Sequence, residues 1–372
     1  MTQRHPFLDL KTANMPLMEQ LQAAAARVIA AGWYIGGEEV ETFERELAEA
    51  TGTSHAIGIS NGLDALRLIF RALIELGRIS PGDEVIVPSN TYIASVLAVT
   101  DNGLKPVFVE PNPSTFNIDP QRIAAAITPR TQAIMPVHLY GRAVDLPAHL
   151  RQEFFIVEDN AQAIGAKLRG TATGALGHAA AFSFYPTKNI GALGDAGAVT
   201  TSDPELAKAI SALRNYGTDR RYHNIYAGLN CRLDTLQAAL LRVKLPYLSN
   251  ESKRRQELAA LYNSEIKNPH LILPEIPADA AEHVWHQYVV RVPNGGREDF
   301  RAHMLAAGIE TDVLYPTPPH LQPCYAPVYG HLHLPIATQL AAEVVSLPTG
   351  PNTSIDDARR IAAVASEYKP KQ

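Results

Sequence analysis

Short apolar runs alternate with amphipathic stretches through the first part of the chain. We interpret the apolar runs as buried strands, at residues 55–60, 83–88, 107–109, 133–137 and 154–157. The stretches between them have the apolar spacing of helices, and the one at 119–127 carries Pro120 in a favoured first-turn position. A repeated strand-then-helix order predicts an α/β fold with a mostly parallel central sheet flanked by helices.

The remaining pattern predicts a second, smaller unit. Helical stretches at 15–31 and 40–50 precede the sheet and end near Gly32 and Gly52. Long helical runs from 235 to 265 are followed by a strand at 284–292, a proline-rich loop and a helix at 354–367. We therefore expect a large domain at 1–245, with an N-terminal helical arm, and a smaller C-terminal α/β domain at 246–372.

Composition excludes several classes of protein. Lys and Arg number 33 against 38 Asp and Glu, a net charge of −5, and no basic block suggests nucleic-acid binding. The two cysteines, Cys231 and Cys324, cannot build a disulfide framework, and the histidines lack metal-ligand spacing. No apolar signal region or membrane-length apolar run is present, so we expect a cytoplasmic protein that binds no membrane, with both cysteines reduced.

Lys188 is the candidate catalytic residue. The apolar strand at 179–184 should stop at Pro186, which lacks a backbone donor, so Lys188 lies just past a strand end. Gly191, Gly194 and Gly197 follow it, and no side chain there crowds a flat ligand. Most lysines are solvated surface charges. These apolar, glycine-rich surroundings instead favour a desolvated amine whose lowered pKa makes it a nucleophile.

Asp159 is the candidate partner of that lysine. The strand at 154–157 delivers Glu158 and Asp159 at its carboxyl end, where open α/β sheets bind ligands. Taken alone, Asp159 is better explained as the cap of the next helix, and only its combination with Lys188 reverses that preference. A lysine nucleophile and a carboxylate together are what pyridoxal 5′-phosphate (PLP) requires, since the carboxylate keeps the pyridine nitrogen protonated. The pair therefore predicts a PLP enzyme with Lys188 as its catalytic residue.

Other positions fit a cofactor site less specifically. Gly62 and Leu63 open a helix after a strand, where backbone amides bind phosphate, although an ordinary capped helix start is equally consistent. Tyr92 follows another strand and either stacks on the pyridine ring or belongs to the core. His138 is either a structural residue or part of the active site. The polar, aromatic segment 216–229 is either a substrate loop or a solvated surface loop.

Three separated motifs carry a family resemblance. They are Val157-Glu-Asp-Asn-Ala-Gln162, Phe182-Ser-Phe-Tyr-Pro-Thr-Lys188 and Gly194-Asp-Ala-Gly-Ala198. In this order they resemble the PLP-dependent nucleotide-sugar aminotransferases of the DegT/StrS type. The likeness extends from Phe7-Leu-Asp-Leu10 to Ser346-Leu-Pro348. It implies a fold type I PLP-transferase.

The resemblance also implies roles for single residues. Gln162 matches the residue near the ring hydroxyl of PLP, and Ser183 matches a phosphate contact. Leu63 stands where the family often has threonine, so it offers only its amide. Asn230 matches an asparagine that reaches the cofactor of the neighbouring subunit, which implies a homodimer with shared sites. Tyr185, Tyr315 and His320 are weaker candidates for contact with the sugar nucleotide.

The same resemblance implies a reaction. The amino donor is L-glutamate, and the acceptor is a nucleotide-linked keto-6-deoxysugar with thymidine diphosphate (dTDP) as the carrier. Gly194-Asp-Ala resembles the members that aminate C3, whereas the C4 group tends to carry Gly-Glu-Gly. We therefore expect a 3-keto-6-deoxyhexose to be converted to a 3-amino-3,6-dideoxyhexose.

Several alternatives stay open to different degrees. Amination at C4 of a 4-keto sugar is the nearest one. A sugar dehydratase of the same fold carries histidine in place of the lysine, so Lys188 argues against it. A non-catalytic regulator with this fold has no need of Lys188, Asp159 and Gln162 together. A metal hydrolase is disfavoured because the histidines lack ligand spacing.

Overall fold

The computed structural model describes residues 4–370, and all structural statements refer to these residues. Their strands are β1 (His55–Ile59), β2 (Glu84–Pro88), β3 (Lys105–Val109), β4 (Thr131–Ile134), β5 (Phe155–Asp159), β6 (Lys167–Leu168), β7 (Thr171–Ala172), β8 (Ala179–Ser183), β9 (Gly197–Thr201), β10 (Thr218–Arg220), β11 (His223–Asn224), β12 (Tyr288–Arg291) and β13 (Val344–Leu347).

The α-helices of the same range surround these strands. They are α1 (Leu10–Asn14), α2 (Met18–Ala31), α3 (Glu38–Thr51), α4 (Gly62–Glu75), α5 (Ile93–Thr100), α6 (Pro120–Ala126), α7 (Leu150–Glu153), α8 (Pro204–Leu213), α9 (Thr235–Lys244), α10 (Leu248–Glu265), α11 (Arg297–Ala306), α12 (Ala326–Tyr329), α13 (Pro335–Glu343) and α14 (Ile355–Glu367). None of these described helices combines the length and hydrophobicity needed to cross a bilayer.

A seven-stranded sheet forms the centre of the molecule, in the order β1-β9-β8-β5-β4-β2-β3. Pairs among β3, β2, β4, β5 and β8 are parallel, which confirms the predicted α/β fold with a mostly parallel sheet. Strand β9 runs antiparallel to both β8 and β1. Edge strand β1 pairs with β9 along its whole length, from His55 opposite Thr201 to Ile59 opposite Gly197.

The two faces of the sheet carry separate apolar layers because successive strand residues point to opposite sides. In β8, Ala179 and Ala181 join the core that α4, α5 and α8 cover. Their neighbours Ala180 and Phe182 pack on the other face against α3 and α9. Helices thus cover the sheet on both faces, and this packing holds the ends of β5 and β8 in position.

The C-terminal part of the chain builds its own core around the antiparallel pair β12 and β13. Tyr288 lies opposite Leu347 in this pair, and helices α10, α11 and α14 pack against it. The core contains the fully buried side chains of Tyr262, Phe300 and Ile361. The strand expected at 284–292 is shorter and covers only Tyr288–Arg291. The segment before it, 284–287, donates backbone hydrogen bonds to the loop at Tyr140 and Gly141 and not to a neighbouring strand. The division into domains at 1–245 and 246–372 stays a prediction.

Candidate active site

Lys188 lies in the connection between antiparallel strands β8 and β9. Its backbone N–H donates to the carbonyl of Tyr185 at 2.8 Å, closing a turn around Pro186. The residue is half-buried, and desolvation of its amine lowers the pKa to about 8, while the Asp159 carboxylate acts in the opposite direction. An amine with this pKa is partly neutral near physiological pH, as a nucleophile must be.

Asp159 is held at the carboxyl end of β5 with both carboxylate oxygens in hydrogen bonds. Oδ2 accepts from the Ser95 hydroxyl at 2.7 Å, and Oδ1 accepts from the Ala161 amide at 3.2 Å. Ser95 is itself buried and hydrogen-bonded to Thr91 at 2.8 Å. Asp159 is only 6% exposed, so its orientation is set by the protein and not by water. Its charge acts on Lys188, which places the two predicted residues in one site.

Glu158 and His138 form a buried pair behind Asp159. His138 Nδ1 accepts from the Val144 amide at 3.0 Å, so the ring proton is on Nε2, which donates to Glu158 at 2.8 Å. The Glu158 carboxylate also accepts from the amides of Gly174 and Gly177. The backbone N–H of His138 donates to the Asp159 carbonyl at 3.1 Å. His138 therefore fastens the end of β5, and this is the structural one of the two roles expected for it.

Two aromatic rings stand beside these groups. Tyr92 is 51% exposed, and its ring lies 4.9 Å from the Tyr315 ring at an interplanar angle of 32°. The Tyr315 hydroxyl accepts from Gln162 Nε2 at 3.1 Å, and Gln162 Oε1 accepts from the Tyr140 amide at 2.6 Å. Burial, with the nearby Asp159 charge, raises the pKa of Tyr315 and keeps its hydroxyl protonated.

The start of α4 lies against the end of β8. Asn61 caps this helix by accepting from the Asp64 amide at 2.9 Å, and the earlier amides of Gly62 and Leu63 have no intrahelical acceptor. A Cβ at Gly62 would lie 2.7 Å from Ser183 Cβ, so only glycine permits this close approach. The structure thus brings Gly62, Leu63 and Ser183 together at the positive end of a helix dipole.

Three of the expected residues lie apart from this cluster. Asn230 is exposed and bridges to Asn215 through its backbone, and no contact among the described residues joins it to Lys188 or Asp159. His320 is 1% exposed and packs near Phe108, and burial lowers its pKa. Tyr185 is 52% exposed and contacts the site through its backbone, whose carbonyl accepts from Lys188 and whose N–H donates to the Ser183 hydroxyl at 3.4 Å.

The structure adds residues that the sequence did not reveal. Ser95 and Tyr140 hold Asp159 and Gln162, and Asn189 Oδ1 accepts at 2.9 Å from Nδ1 of buried His286 beside Lys188. Burial, and next the Lys188 charge, lower the pKa of His286 and keep this imidazole neutral. Ser95 follows Tyr92 by three residues at the first turn of α5, a spacing that offers a usable signal. The others have no local signal.

Comparison with known proteins identifies the family. Residues 16–365 match the model of the DegT/DnrJ/EryC1/StrS aminotransferase family. The chain belongs to this family. Its members depend on PLP, and the chain is accordingly a PLP-dependent aminotransferase. The resemblance stated from the motifs is thereby confirmed.

Individual relatives match over nearly the whole chain. The dTDP-3-amino-3,6-dideoxy-alpha-D-galactopyranose transaminase of Aneurinibacillus thermoaerophilus is 49% identical over 98% of this chain and 99% of its own. The dTDP-3-amino-3,4,6-trideoxy-alpha-D-glucose transaminase of Streptomyces venezuelae is 47% identical over 99% and 97%. The X-ray structure of S. venezuelae DesV superposes with a TM-score of 0.93, at 47% identity and 98% coverage of both chains.

The side chains of this aminotransferase fit PLP. Free helix amides and the Ser183 hydroxyl suit its phosphate, and the Asp159 carboxylate suits a protonated pyridine nitrogen. A larger residue at position 62 would collide with Ser183, so glycine is what lets the start of α4 lie against the end of β8. The amine of Lys188, with its lowered pKa, suits the aldehyde carbon of the cofactor.

Proposed function

We propose that this enzyme transfers the amino group of L-glutamate to a dTDP-linked 3-keto-6-deoxyhexose, giving a dTDP-3-amino-3,6-dideoxyhexose. The observation that supports this proposal most directly is the half-buried Lys188 amine beside the fixed Asp159 carboxylate. PLP-dependent transamination requires this pair. The names of two relatives, at 49% and 47% identity over nearly the whole chain, specify a dTDP sugar aminated at C3. The Gly194-Asp-Ala motif supports the same position.

Lys188 and Asp159 divide the chemistry between them. PLP, when bound, withdraws electrons from the carbon next to the amino nitrogen. With PLP bound, Lys188 would act as the base that takes a proton from the donor α-carbon and delivers it to the former aldehyde carbon of the cofactor, because its pKa of about 8 is close to neutral pH. Asp159 keeps the proton on the pyridine nitrogen, since Ser95 and the Ala161 amide fix its carboxylate.

The remaining residues position the reactants. The amides of Gly62 and Leu63 and the hydroxyl of Ser183 would bind the cofactor phosphate, and the exposed ring of Tyr92 would stack on the pyridine. Gln162, held by the Tyr140 amide, would contact the ring hydroxyl of the cofactor. Tyr315, through Gln162, borders the sugar side of the site. Tyr185 and His320 remain weaker candidates for contact with the sugar nucleotide.

The enzyme works as a homodimer in this proposal, with Asn230 of each subunit at the cofactor of the other. Asn230 is exposed in its own subunit, and several large apolar side chains on the same surface region are also exposed. These are Tyr216, Tyr222, Ile225 and Leu229. Exposed apolar residues in one contiguous segment mark an interaction surface. The location of the dimer is the cytoplasm.

A mixing experiment tests the shared site. Lys188→Ala and Asn230→Ala are each expected to have little activity as homodimers. After unfolding and refolding together, half of the dimers are mixed, and one of their two sites is intact, so about a quarter of wild-type activity should return. Activity no greater than the sum of the separate variants would remove Asn230 from the partner's site.

Product mapping tests the reaction itself. The purified enzyme is incubated with PLP, L-glutamate and either the 3-keto or the 4-keto dTDP-6-deoxyhexose, and NMR locates the new amino group. We expect amination at C3. Amination at C4 would retain the aminotransferase and correct the position. Complete lack of turnover with both sugars, in protein that takes up PLP, would contradict the proposed substrate.

A further inference from the structure

A second cavity lies behind the catalytic loop at residues 186–191. It has a volume of about 70 Å³ and is closed by the N-terminal segment around Leu8 to Leu17 and by the first turns of α10. Its charged and amide-bearing lining residues are Asn14, Lys188, Asn189, Lys244, Glu251 and Arg255, and Thr187 and Tyr247 add hydroxyl groups. None of Gly62, Ser183 and Asp159 lines it, so we distinguish this rear cavity from the cofactor cradle.

Arg255 is the most buried charge in the rear cavity. The residue is 4% exposed, and its Nε has no hydrogen-bond partner among residues 4–370. Nη1 makes only long contacts, 3.4 Å each, to the carbonyls of Trp285 and His286. Burial lowers the pKa of Arg255 to about 10, with only a partial opposing effect of Glu251. The guanidinium therefore has donors left over for a further acceptor.

Lys244 adds a second cation without a carboxylate partner. Its Nζ donates to the Gly191 carbonyl at 2.5 Å, and burial lowers its pKa to about 8. Among the ion pairs of the described residues, none includes Lys188, Lys244 or Arg255. Glu251 is the one carboxylate among the lining residues. Positive charge therefore exceeds negative charge in this enclosed space.

An excess of buried positive charge is costly unless an anion balances it. We propose that the rear cavity binds a carboxylate group, with Arg255 as its principal ligand and Lys244 and Asn189 as neighbours. Its volume has room for several water-sized groups, since one water needs roughly 10–15 Å³ of such space. A small carboxylate fits, whereas a nucleotide sugar is far too large. The planar fork of arginine matches the two oxygens of a carboxylate.

Two sources supply this chemistry. One is a carboxylate of the amino donor. Because Lys188 is part of the cavity wall, a donor bound there would lie next to the reacting amine; this source rests on the proposed function. The other is a free small carboxylate that stabilises the catalytic loop from behind. Either way, binding joins α10 to residues 186–191 and to the N-terminal segment.

Formate is the probe for the site, and thermal melting of the PLP-loaded enzyme is the readout. At constant ionic strength, we expect the melting temperature of the wild type to rise with formate and to saturate. Arg255→Gln should weaken the apparent affinity at least about tenfold. Lys253→Gln removes the same charge from an exposed position of α10 and should behave like the wild type. Lys244→Gln offers a second variant should Arg255→Gln fail to fold.

The outcomes separate the two sources and the two proposals. Formate that competes with glutamate, together with a raised glutamate KM in Arg255→Gln and an unchanged sugar KM, assigns the cavity to the donor. Saturable stabilisation without competition assigns it to a free carboxylate. Wild-type enzyme without saturable stabilisation, or an Arg255→Gln variant that retains it, overturns the site. Melting needs no turnover, so a failure of the proposed reaction does not affect this result.

Discussion

Replacing Lys188 by methionine should stabilise the cofactor-free protein while abolishing transamination. The unfolded chain has a lysine pKa near 10.5, and burial lowers it to about 8 in the folded protein. Below pH 8 the folded state must therefore hold an ammonium in surroundings that disfavour it. At about 1.4 kcal/mol per pKa unit, the difference amounts to about 3.4 kcal/mol. This is an upper limit, because Lys188 is half-buried and keeps some contact with solvent.

The sign fixes the pH dependence. The destabilisation is complete below the folded pKa of about 8 and disappears as the pH rises toward 10.5, where the unfolded lysine also loses its proton. With an unfolding entropy of about 2.1 cal/mol/K per residue, the chain of 372 residues should gain up to roughly 4 °C in melting temperature at pH 7. The gain should shrink steadily between pH 8 and pH 10.5.

Thermal melting of cofactor-free wild type, Lys188→Met and Lys253→Met across this pH range is the assay. Lys253 is exposed on α10, so its substitution controls for the loss of a positive charge. A Lys188→Met variant no more stable than the control at pH 7, or a gain that does not vary with pH, would refute the reasoning. Retained transamination by the variant would remove Lys188 from the chemistry.

Three further predictions concern the residues around Lys188. Asp159→Asn removes the charge that keeps the pyridine protonated, so kcat should fall at least about a hundredfold, measured by steady-state kinetics, and near-wild-type kcat would contradict this role. Tyr315→Phe removes the acceptor of Gln162 Nε2 and should lower kcat/KM about five- to tenfold with little change in PLP affinity; unchanged kcat/KM would argue against it. Gly62→Ala places a methyl group 2.7 Å from Ser183 Cβ and should weaken PLP binding, followed by absorbance titration, whereas an unchanged affinity would exclude this cradle.

The sequence shows which candidate residues lie at or after a strand end, and the structure brings Lys188 and Asp159 close together. Asp159 is the last residue of β5 and Lys188 lies in the connection that follows β8, and the sheet brings such strand ends together at one edge. The mostly parallel fold was predictable for the same reason, since strands and helices alternate along the chain. The antiparallel direction of β9 was not, because a strand of small residues has the same pattern in either direction.

Other features depend on contacts far apart in the chain. Ser95 reaches Asp159 across 64 residues, and Tyr140 holds Gln162 across 22. From the sequence, the basic run Lys253-Arg-Arg255 predicts a solvated helix face. That prediction is wrong for Arg255, because α10 packs against residues 284–287 and buries it. The role of Asn230 depends on a second subunit, because the cofactor it is expected to reach belongs to the neighbouring subunit. A single chain does not show that contact.

The pairing of β1 with β9 affects how the protein is made. Residues 55–59 leave the ribosome early, yet the strand that pairs with them spans residues 197–201, about 140 residues later. At a synthesis rate of roughly 5–20 residues per second, this strand waits on the order of 7 to 30 s for its partner. During that time its apolar residues and open backbone edge are available to other nascent chains. Exposure of this edge during synthesis is therefore a route to aggregation that is unrelated to the catalytic lysine.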